Sequence, residues 1–217
     1  MRKLFGGKNV VSLAGYKKDH LCPQIQQLRA YWEGLRMGRL VPLRSEVDPR
    51  GIEGALSQIF LLERIAPGMA RLRLGGQHLN DLLGMEVRGL PFTAFFTPNG
   101  RKSITETLEQ VFDGPQIAEL TLRAESHIGK PGLDGKLALF PLRSESGAIN
   151  RAIGCLVGSG VIGRTPRRFH VRDQKLTALS PAQDRPAPQS RPVASPSNRA
   201  KPHGLRLVKS DECGVPG

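Results

Sequence analysis

Residues 58–88, QIFLLERIAPGMARLRLGGQHLNDLLGMEVR, contain the patterns that indicate the fold class most clearly. Ile59 and Leu61 are spaced for one face of a strand, and further on Leu72 and Leu74 alternate with arginines. A period of two is typical of a sheet with one solvent-exposed face. The Ala-Pro-Gly segment at 66–68 indicates a tight turn between the two runs. The stretch therefore predicts two antiparallel strands joined as a hairpin.

Helical spacing replaces the period of two on both sides of this hairpin. Three leucines at i, i+3 and i+4 predict a short helix that ends at Gly84: Leu79, Leu82 and Leu83. A lead-in helix is predicted from Pro23 to Gly38, with one apolar face: Ile25, Leu28, Trp32 and Leu35. After the turn signal Asn99-Gly100, a third helix is predicted from near Ser103, with four apolar residues at helical spacing: Ile104, Leu108, Val111 and Phe112.

Three further strands are predicted at residues 117–128, 136–143 and 151–162, joined by short turns that indicate antiparallel neighbours. The predicted fold class is therefore α+β, with a five-stranded antiparallel sheet, helices on one face and an amphipathic helix before it.

The two ends of the chain differ from this central part in composition. Residues 1–19 are predicted as a basic, flexible lead. Residues 166–217 are predicted as a basic, Pro- and Ser-rich disordered tail, because in residues 180–203 Val193 is the only larger aliphatic side chain and burial cannot offset the entropy of ordering. The whole chain has 32 basic and 19 acidic residues, of which 19 and 15 lie in residues 19–170. Most of the cationic excess is thus placed in the ends, where it favours salt-sensitive attraction to anionic partners.

Cysteine usage and hydropathy bear on the compartment. Cys22, Cys155 and Cys213 are odd in number and have no Cys-x-x-Cys spacing, which argues against a disulfide framework. There is no apolar run of membrane-spanning length and no signal-peptide pattern at the N-terminus. These observations predict a cytoplasmic protein without membrane insertion.

Short motifs of the first 90 residues follow one another in a specific order: Tyr31-Trp32, residues 36–40, Pro42-x-Arg44, Asp48-Pro49, Leu72-x-Leu74-x-Gly76 and Leu83-Gly84-x-Glu86-x-x-Gly89. In order and spacing they resemble the PAS-like sensory domain that is common as short stand-alone proteins in alphaproteobacteria. The resemblance covers residues 20–165. It implies a five-stranded antiparallel sheet whose helices enclose a cleft for a small molecule or an interaction, and pairing through an N-terminal helix.

Candidate pocket residues follow from this expected cleft. Several phenylalanines lie in segments expected to face the space between sheet and helices. They form either a packed core or an apolar ligand pocket, and the sequence leaves both interpretations open. With two polar residues expected at the pocket edge, the candidates are Arg73, His78, Phe92, Phe95, Phe96 and Phe140. The residues do not identify a cofactor, and His78 is either a ligand to one or a polar residue on the wet face of its helix.

Other chemical signals are weak. Residues 158–163, GSGVIG, have the Gly-x-Gly-x-x-Gly spelling but end a strand without opening a helix, so a nucleotide site is not expected. Cys155 is interpreted as a buried apolar side chain, and the five histidines lack metal-ligand spacing. Ser126 and His127 are adjacent on a predicted strand and point to opposite faces, so no catalytic pair is expected.

The predicted function is a non-enzymatic PAS-like regulatory module. It would bind a small ligand or a protein partner and relay the signal through protein–protein contacts, with the N-terminal helix as a site for a homodimer or another partner. The alternative is an adaptor that associates with nucleic acid or an anionic membrane surface through its basic ends.

Overall fold

Six antiparallel strands form one sheet in the computed structural model, which describes residues 22–180 of the chain. The order across the sheet is β2-β1-β5-β4-β3-β6. The strands are β1 Ile59–Ala66, β2 Met69–Gly75, β3 Gln116–Ala124, β4 Asp134–Leu142, β5 Arg151–Ser159 and β6 Phe169–Ala178. The predicted hairpin at residues 58–75 is confirmed as β1 and β2, which pair directly.

The prediction of five strands is wrong because β6 lies in the segment that was predicted as disordered tail. Phe169, at the start of β6, is fully buried, and β6 pairs with β3 from Gln116 to Ala124. Four consecutive residues in the middle of β6 are exposed, so this strand lacks the alternation of apolar and polar residues from which strands are predicted. The predicted lead at 1–19 and the rest of the predicted tail, 181–217, lie outside the described residues.

Within the part of the chain that the structure describes, three α-helices and three 3₁₀ segments accompany the sheet. They are α1 Pro23–Arg36, α2 Gln77–Leu83 and α3 Pro98–Phe112, with 3₁₀ segments Arg44–Glu46, Pro49–Gln58 and Phe92–Phe95. The short helix ending at Gly84 is confirmed, since Gly84 adopts the left-handed conformation with φ 75°. α3 begins before the predicted Asn99-Gly100 turn, because Thr97 caps the helix by accepting a hydrogen bond from the Gly100 amide.

The sheet is covered on both faces. On the inner face, α2, α3 and the 3₁₀ segment Phe92–Phe95 pack against alternate residues of the strands. On the outer face, α1 and the 3₁₀ segment Pro49–Gln58 pack against the intervening residues. The prediction of helices on one face thus holds for the helices after the hairpin, whereas α1 lies on the opposite side of its own sheet.

The hairpin strands depart from simple alternation. The first four residues of β1 are all buried because both faces are covered. A register shift between Leu61 and Leu62 places Leu74 opposite Leu61 and Leu72 opposite Leu62. Leu72 and Leu74 therefore face opposite sides of the sheet, and Leu74 is half exposed. The predicted shared face of these two leucines is wrong.

Several of the motif residues fix α1 to the segment that follows it. The Tyr31 hydroxyl accepts a hydrogen bond from the Asp48 amide at 2.7 Å and donates one to the Asp48 carbonyl at 3.0 Å. The Asp48 carboxylate accepts from the Arg50 amide at 2.9 Å and so caps the next 3₁₀ segment. Gly51 lies beneath the Tyr31 ring, where a β-carbon would clash. These motif positions specify local structure.

Candidate functional site

Three of the predicted pocket residues come together on the inner face as an aromatic cluster. The ring of Phe92 lies 5.0 Å from Phe60, 6.0 Å from Phe95 and 5.6 Å from Phe96, measured between ring centroids. All four side chains are fully buried. Phe60 in turn packs on Gly154 of β5, where a β-carbon would overlap the ring. The cluster forms a packed core, with each ring in contact with another.

Phe140 belongs to the opposite face, so its placement beside the other phenylalanines is wrong. Its ring lies 5.7 Å from that of Trp32 on α1, and both side chains are fully buried. The Trp32 indole Nε1 donates a hydrogen bond to the Pro141 carbonyl at 2.9 Å. Residues alternate in direction along β4, and the parity of Phe140 directs it outward. Phe140 therefore helps to seat α1 on the sheet.

Arg73 is part of a charged cluster on the outer face of the hairpin rather than at the edge of an inner pocket. It contacts the Glu63 carboxylate, which also accepts from Arg71 at 3.0 Å and contacts Arg151 at 2.7 Å. The pKa of Glu63 lies below its usual value, chiefly because Arg73 donates a hydrogen bond to it, with Arg71 and Arg151 adding to the effect. The cluster joins three strands, β2, β1 and β5.

His78 joins α2 to the end of β5. Its Nε2 atom accepts a hydrogen bond from the Gly158 amide at 3.0 Å, and the side chain is half-buried. Burial lowers the pKa of His78, and the nearby Asp81 carboxylate opposes this shift in part. An accepting Nε2 requires that this nitrogen carry no proton. The side chain therefore has a structural partner in the neutral state, and neither the wet-face nor the ligand interpretation foresaw this contact.

A cleft of about 120 Å³ opens on the outer face beside the first turn of α1. Its polar side chains come from three strands, namely Glu119 and Thr121 of β3, Lys136 of β4, and Asp173 and Lys175 of β6. The Lys136 ammonium donates to the Thr121 hydroxyl at 2.8 Å. The sequence did not reveal this cleft, because its charges are scattered through three strands and one of these was not predicted.

Glu119 connects the cleft to α1. Its carboxylate lies 2.8 Å from the Arg29 guanidinium of α1, and the Arg29 guanidinium also lies over the ring of Phe140, 5.8 Å from its centroid. Ile25, in the first turn of α1, forms the apolar wall of the cleft. A molecule or side chain that entered the cleft would therefore contact the helix and the sheet together.

The remaining signals have simple structural roles. Cys155 is fully buried under α1, and burial raises the pKa of its thiol to about 12. Residues 158–163 end β5 and are not followed by a helix, as the sequence predicted. Within residues 22–180, no cluster of three or more His, Cys, Asp or Glu side chains is arranged to hold a metal ion.

Protein family models provide evidence that is independent of this geometry. The family model described as "PAS domain" matches residues 21–157, which is more than half of the chain. The chain belongs to the PAS domain family. The resemblance predicted from the motifs at residues 31–89 is thereby confirmed, and the match contains the aromatic cluster, α1, strands β1 to β4 and most of β5. Membership in the PAS family makes this a sensory or regulatory module.

The comparisons with solved structures and with curated proteins add little further information. One matching solved structure is described as that of an RNA-binding Light-Oxygen-Voltage receptor, at 18% sequence identity and a TM-score of 0.36. The match covers 54% of this PAS chain and 35% of that receptor, so the chain spans about a third of the receptor's length. No curated protein matches the chain. None of the helices described in residues 22–180 is long and apolar enough to cross a membrane.

Proposed function

We propose that this protein is a non-enzymatic PAS regulatory module that binds a small ligand or a protein partner and relays the signal through protein–protein contacts of α1. The observation that carries the proposal is the position of α1, which lies on one face of a sheet whose other face forms the aromatic core. The sheet is then a single layer between the aromatic core, where a signal would be received, and α1, which would pass the signal on.

Alternating residues of the central strands support this relay. In β1, Phe60 packs in the aromatic core, while its neighbours Ile59 and Leu61 pack on the side of α1. A shift of β1 that repacks Phe60 must therefore also disturb the outer-face cluster, which includes the apolar side of α1. Because closely packed layers change between discrete arrangements, a ligand or partner that prefers one arrangement shifts the population of α1 positions.

The outer cleft supports an input on the side of α1 itself. Its volume of about 120 Å³ is well below the 300–1,000 Å³ typical of drug-sized ligand sites. It suits a very small polar ligand or a side chain of a partner protein, which would contact Ile25 and the charged residues Lys136 and Glu119. Together with the filled aromatic core, this favours a protein partner as the input.

Native mass spectrometry of the gently purified full-length protein is the first test. A defined mass excess per subunit would support ligand binding, and a dimer without added mass would support pairing through the exposed side of α1. The fluorescence of Trp32, the single tryptophan of the chain, then reports the contact between α1 and the sheet. A ligand or partner that binds tightly and leaves both the Trp32 emission and the amide exchange of α1 unchanged would contradict the relay.

The alternative function, an adaptor that binds polyanions through basic ends, is supported by charge. Residues 1–21 have five basic residues and one acidic, and residues 181–217 have six and three. A chain that ends at Gln183 keeps β6 and removes the basic C-terminal segment. If the adaptor proposal holds, this truncation should weaken binding to mixed DNA or RNA at low salt, and undiminished binding would contradict the C-terminal version of it. Both proposals place the protein in the cytoplasm, which agrees with the free thiols of Cys22 and Cys155.

A further inference from the structure

We infer that two adjoining loops at one end of the sheet bind the surface of an anionic lipid bilayer. The loops are residues 125–133, between β3 and β4, and residues 160–168, between β5 and β6. We refer to them as the loop pair. This surface is separate from α1 and from the outer cleft, and it is part of the folded domain rather than of the basic ends.

The two loops are in direct contact. The Arg164 amide donates a hydrogen bond to the Gly129 carbonyl at 2.8 Å, and the Lys130 ammonium donates to the Pro166 carbonyl at 2.8 Å. Gly163 approaches the Gly129 carbonyl and the Pro131 ring so closely that a side chain would clash. The loop pair is therefore one continuous surface.

Arg167 fixes this surface from below. The residue is almost fully buried, and its guanidinium donates hydrogen bonds to the carbonyls of Ile162, Glu125 and Pro131, which belong to both loops. Its own amide donates to the Leu82 carbonyl of α2 at 2.7 Å. Because one buried side chain holds three loop carbonyls, the exposed tips are presented on a fixed framework.

The tips combine aliphatic and basic side chains. Ile128 is 100% exposed and Val161 is 71% exposed, and each lies next to a glycine that contacts the other loop. Arg164 and Arg168 of the same loops are exposed, and Lys130 is half-buried. The loop pair has four basic residues and one acidic, whereas residues 22–180 as a whole have 21 and 15. Half of the net positive charge of the described domain therefore lies in these two short loops.

This composition fits a lipid surface better than a nucleic acid. Basic side chains attract anionic headgroups, and aliphatic side chains between them gain free energy by entering the boundary of the acyl chains. Single-stranded nucleic acid is bound by basic grooves with aromatic platforms. The loop pair contains no Phe, Tyr or Trp, and the adjacent Phe169 is fully buried. Charge and exposed aliphatic residues together point to a bilayer that contains acidic lipids.

Vesicle flotation of the full-length protein tests the aliphatic contribution. We would compare phosphatidylcholine vesicles with vesicles that contain about one-third phosphatidylglycerol. The wild type should bind the anionic vesicles, and the double variant Ile128→Ser, Val161→Ser should bind them about tenfold or more weakly, because two aliphatic side chains no longer leave water. The matched control is Ile65→Ser, Met69→Ser, at the opposite end of the sheet, where two half-exposed aliphatic side chains are removed. Its binding should equal that of the wild type.

The contribution of charge needs its own pair of variants. Arg164→Gln, Arg168→Gln should weaken binding to anionic vesicles about fivefold per removed charge at low salt. Arg50→Gln, Arg88→Gln removes two exposed charges outside the loop pair and should have a smaller effect. Far-UV circular dichroism and a thermal melt establish that each variant is folded.

A spectroscopic variant distinguishes insertion from general attraction of the basic ends. In Ile128→Trp the new indole should shift to shorter emission wavelength on anionic vesicles and be quenched by brominated lipid, whereas Trp32 is buried and serves as the internal reference. Anionic-vesicle binding that is unchanged in Ile128→Ser, Val161→Ser would overturn the inference, as would an Ile128→Trp emission that ignores lipid. Loss of oligonucleotide binding in the arginine variant, with vesicle binding retained, would replace the bilayer by a nucleic acid.

Discussion

Trp32 is the buried residue through which α1 packs against the sheet. It is fully buried, stacks obliquely on Phe140 and donates to a main-chain carbonyl of β4. The sequence predicted that it lies on the apolar face of α1 but left open whether that face packs on its own sheet or across a dimer. The structure places it on its own sheet, because the outward residues of β4 and β5 provide an apolar surface against which it packs.

Substitution of Trp32 should therefore destabilise the whole domain. Trp32→Ala should lower the free energy of unfolding by about 3–5 kcal/mol. Trp32→Phe keeps much of the packing but leaves the Pro141 carbonyl without its donor, so it should cost about 1–3 kcal/mol. Urea unfolding followed by far-UV circular dichroism measures both. Leu56→Ala, at a partly exposed position, is the control, and a Trp32→Ala cost as small as that of the control would contradict this packing.

The titration of His78 should make stability depend on pH. Burial lowers the pKa of His78 in the folded state relative to about 6.5 in the unfolded chain, so the unfolded chain binds more protons between the two values. The contribution of His78 is complete above about 6.5 and is lost as the pH falls through the folded-state pKa. Unfolding free energies measured from about pH 8 to pH 5 should therefore decline toward acid.

His78→Gln isolates this effect from other titrating groups. The variant should show a shallower decline in stability below about pH 6.5 than the wild type, since the group that takes up the extra proton on unfolding is gone. Leu56→Ala, which removes no titratable group and lies at a partly exposed position, should retain the wild-type slope. Equal slopes for the wild type and His78→Gln would show that His78 does not titrate differently in the two states.

At the scale of single elements, α1 ends on a residue that is poorly suited to its conformation. Met37 adopts the left-handed conformation, with φ 43° and ψ 46°, and its side chain is 78% exposed. Such a conformation costs about 1–2 kcal/mol for a residue with a β-carbon. The glycine usually found here follows one residue later as Gly38. The backbone at the end of α1 is therefore strained, and the exposed Met37 side chain does not offset this strain by packing.

Replacing Met37 by glycine should relieve this strain. Met37→Gly should raise the free energy of unfolding by about 0.5–1 kcal/mol, after allowance for the greater freedom of glycine in the unfolded chain. Met37→Ala keeps the β-carbon and should leave stability nearly unchanged, which makes it the matched control. Thermal and urea unfolding measure the difference, and a destabilised Met37→Gly would show that the methionine side chain contributes a contact that outweighs the strain.

The strand β6 is the element on which the size of the folded unit depends. It contributes nine paired residues to β3 and the fully buried Phe169. In a chain that ends at Arg168, β3 becomes an edge strand and part of the inner core is exposed to solvent. This chain should therefore not unfold cooperatively. A chain that ends at Gln183 should unfold like the full-length protein. Far-UV circular dichroism and calorimetry compare the two, and cooperative unfolding of the shorter chain would show that β6 is dispensable.

For the whole molecule, the relay proposal predicts communication across the sheet. Phe92→Leu loosens the ring stacked on Phe60, whose strand also carries Ile59 and Leu61 in the outer-face cluster to which the apolar side of α1 belongs. Hydrogen exchange of the α1 amides should accelerate more in this variant than global destabilisation explains. Phe169→Leu, also buried on the inner face but on β6, is the control. Equal protection of α1 in the two variants, at matched global stability, would contradict a relay through β1.

Sequence patterns alone were enough to predict the hairpin β1–β2, the helices α1 and α2 and the PAS family. These features depend on neighbours in the chain: a period of two or of 3.6, a turn at 66–68, and a left-handed glycine at 84. Local spacing was sufficient to predict them.

Contacts between residues that are far apart in the chain could be identified from the complete fold but not from the sequence. β6 is a strand because β3, some 50 residues earlier, supplies its partner, and a bulge turns Leu72 and Leu74 to opposite faces. Strand parity and pairing separated Phe140 and Arg73 from the other pocket candidates and assembled the outer cleft and the loop pair. Which strands pair depends on the free energy of the complete packed sheet, to which no single segment of sequence contributes more than a part.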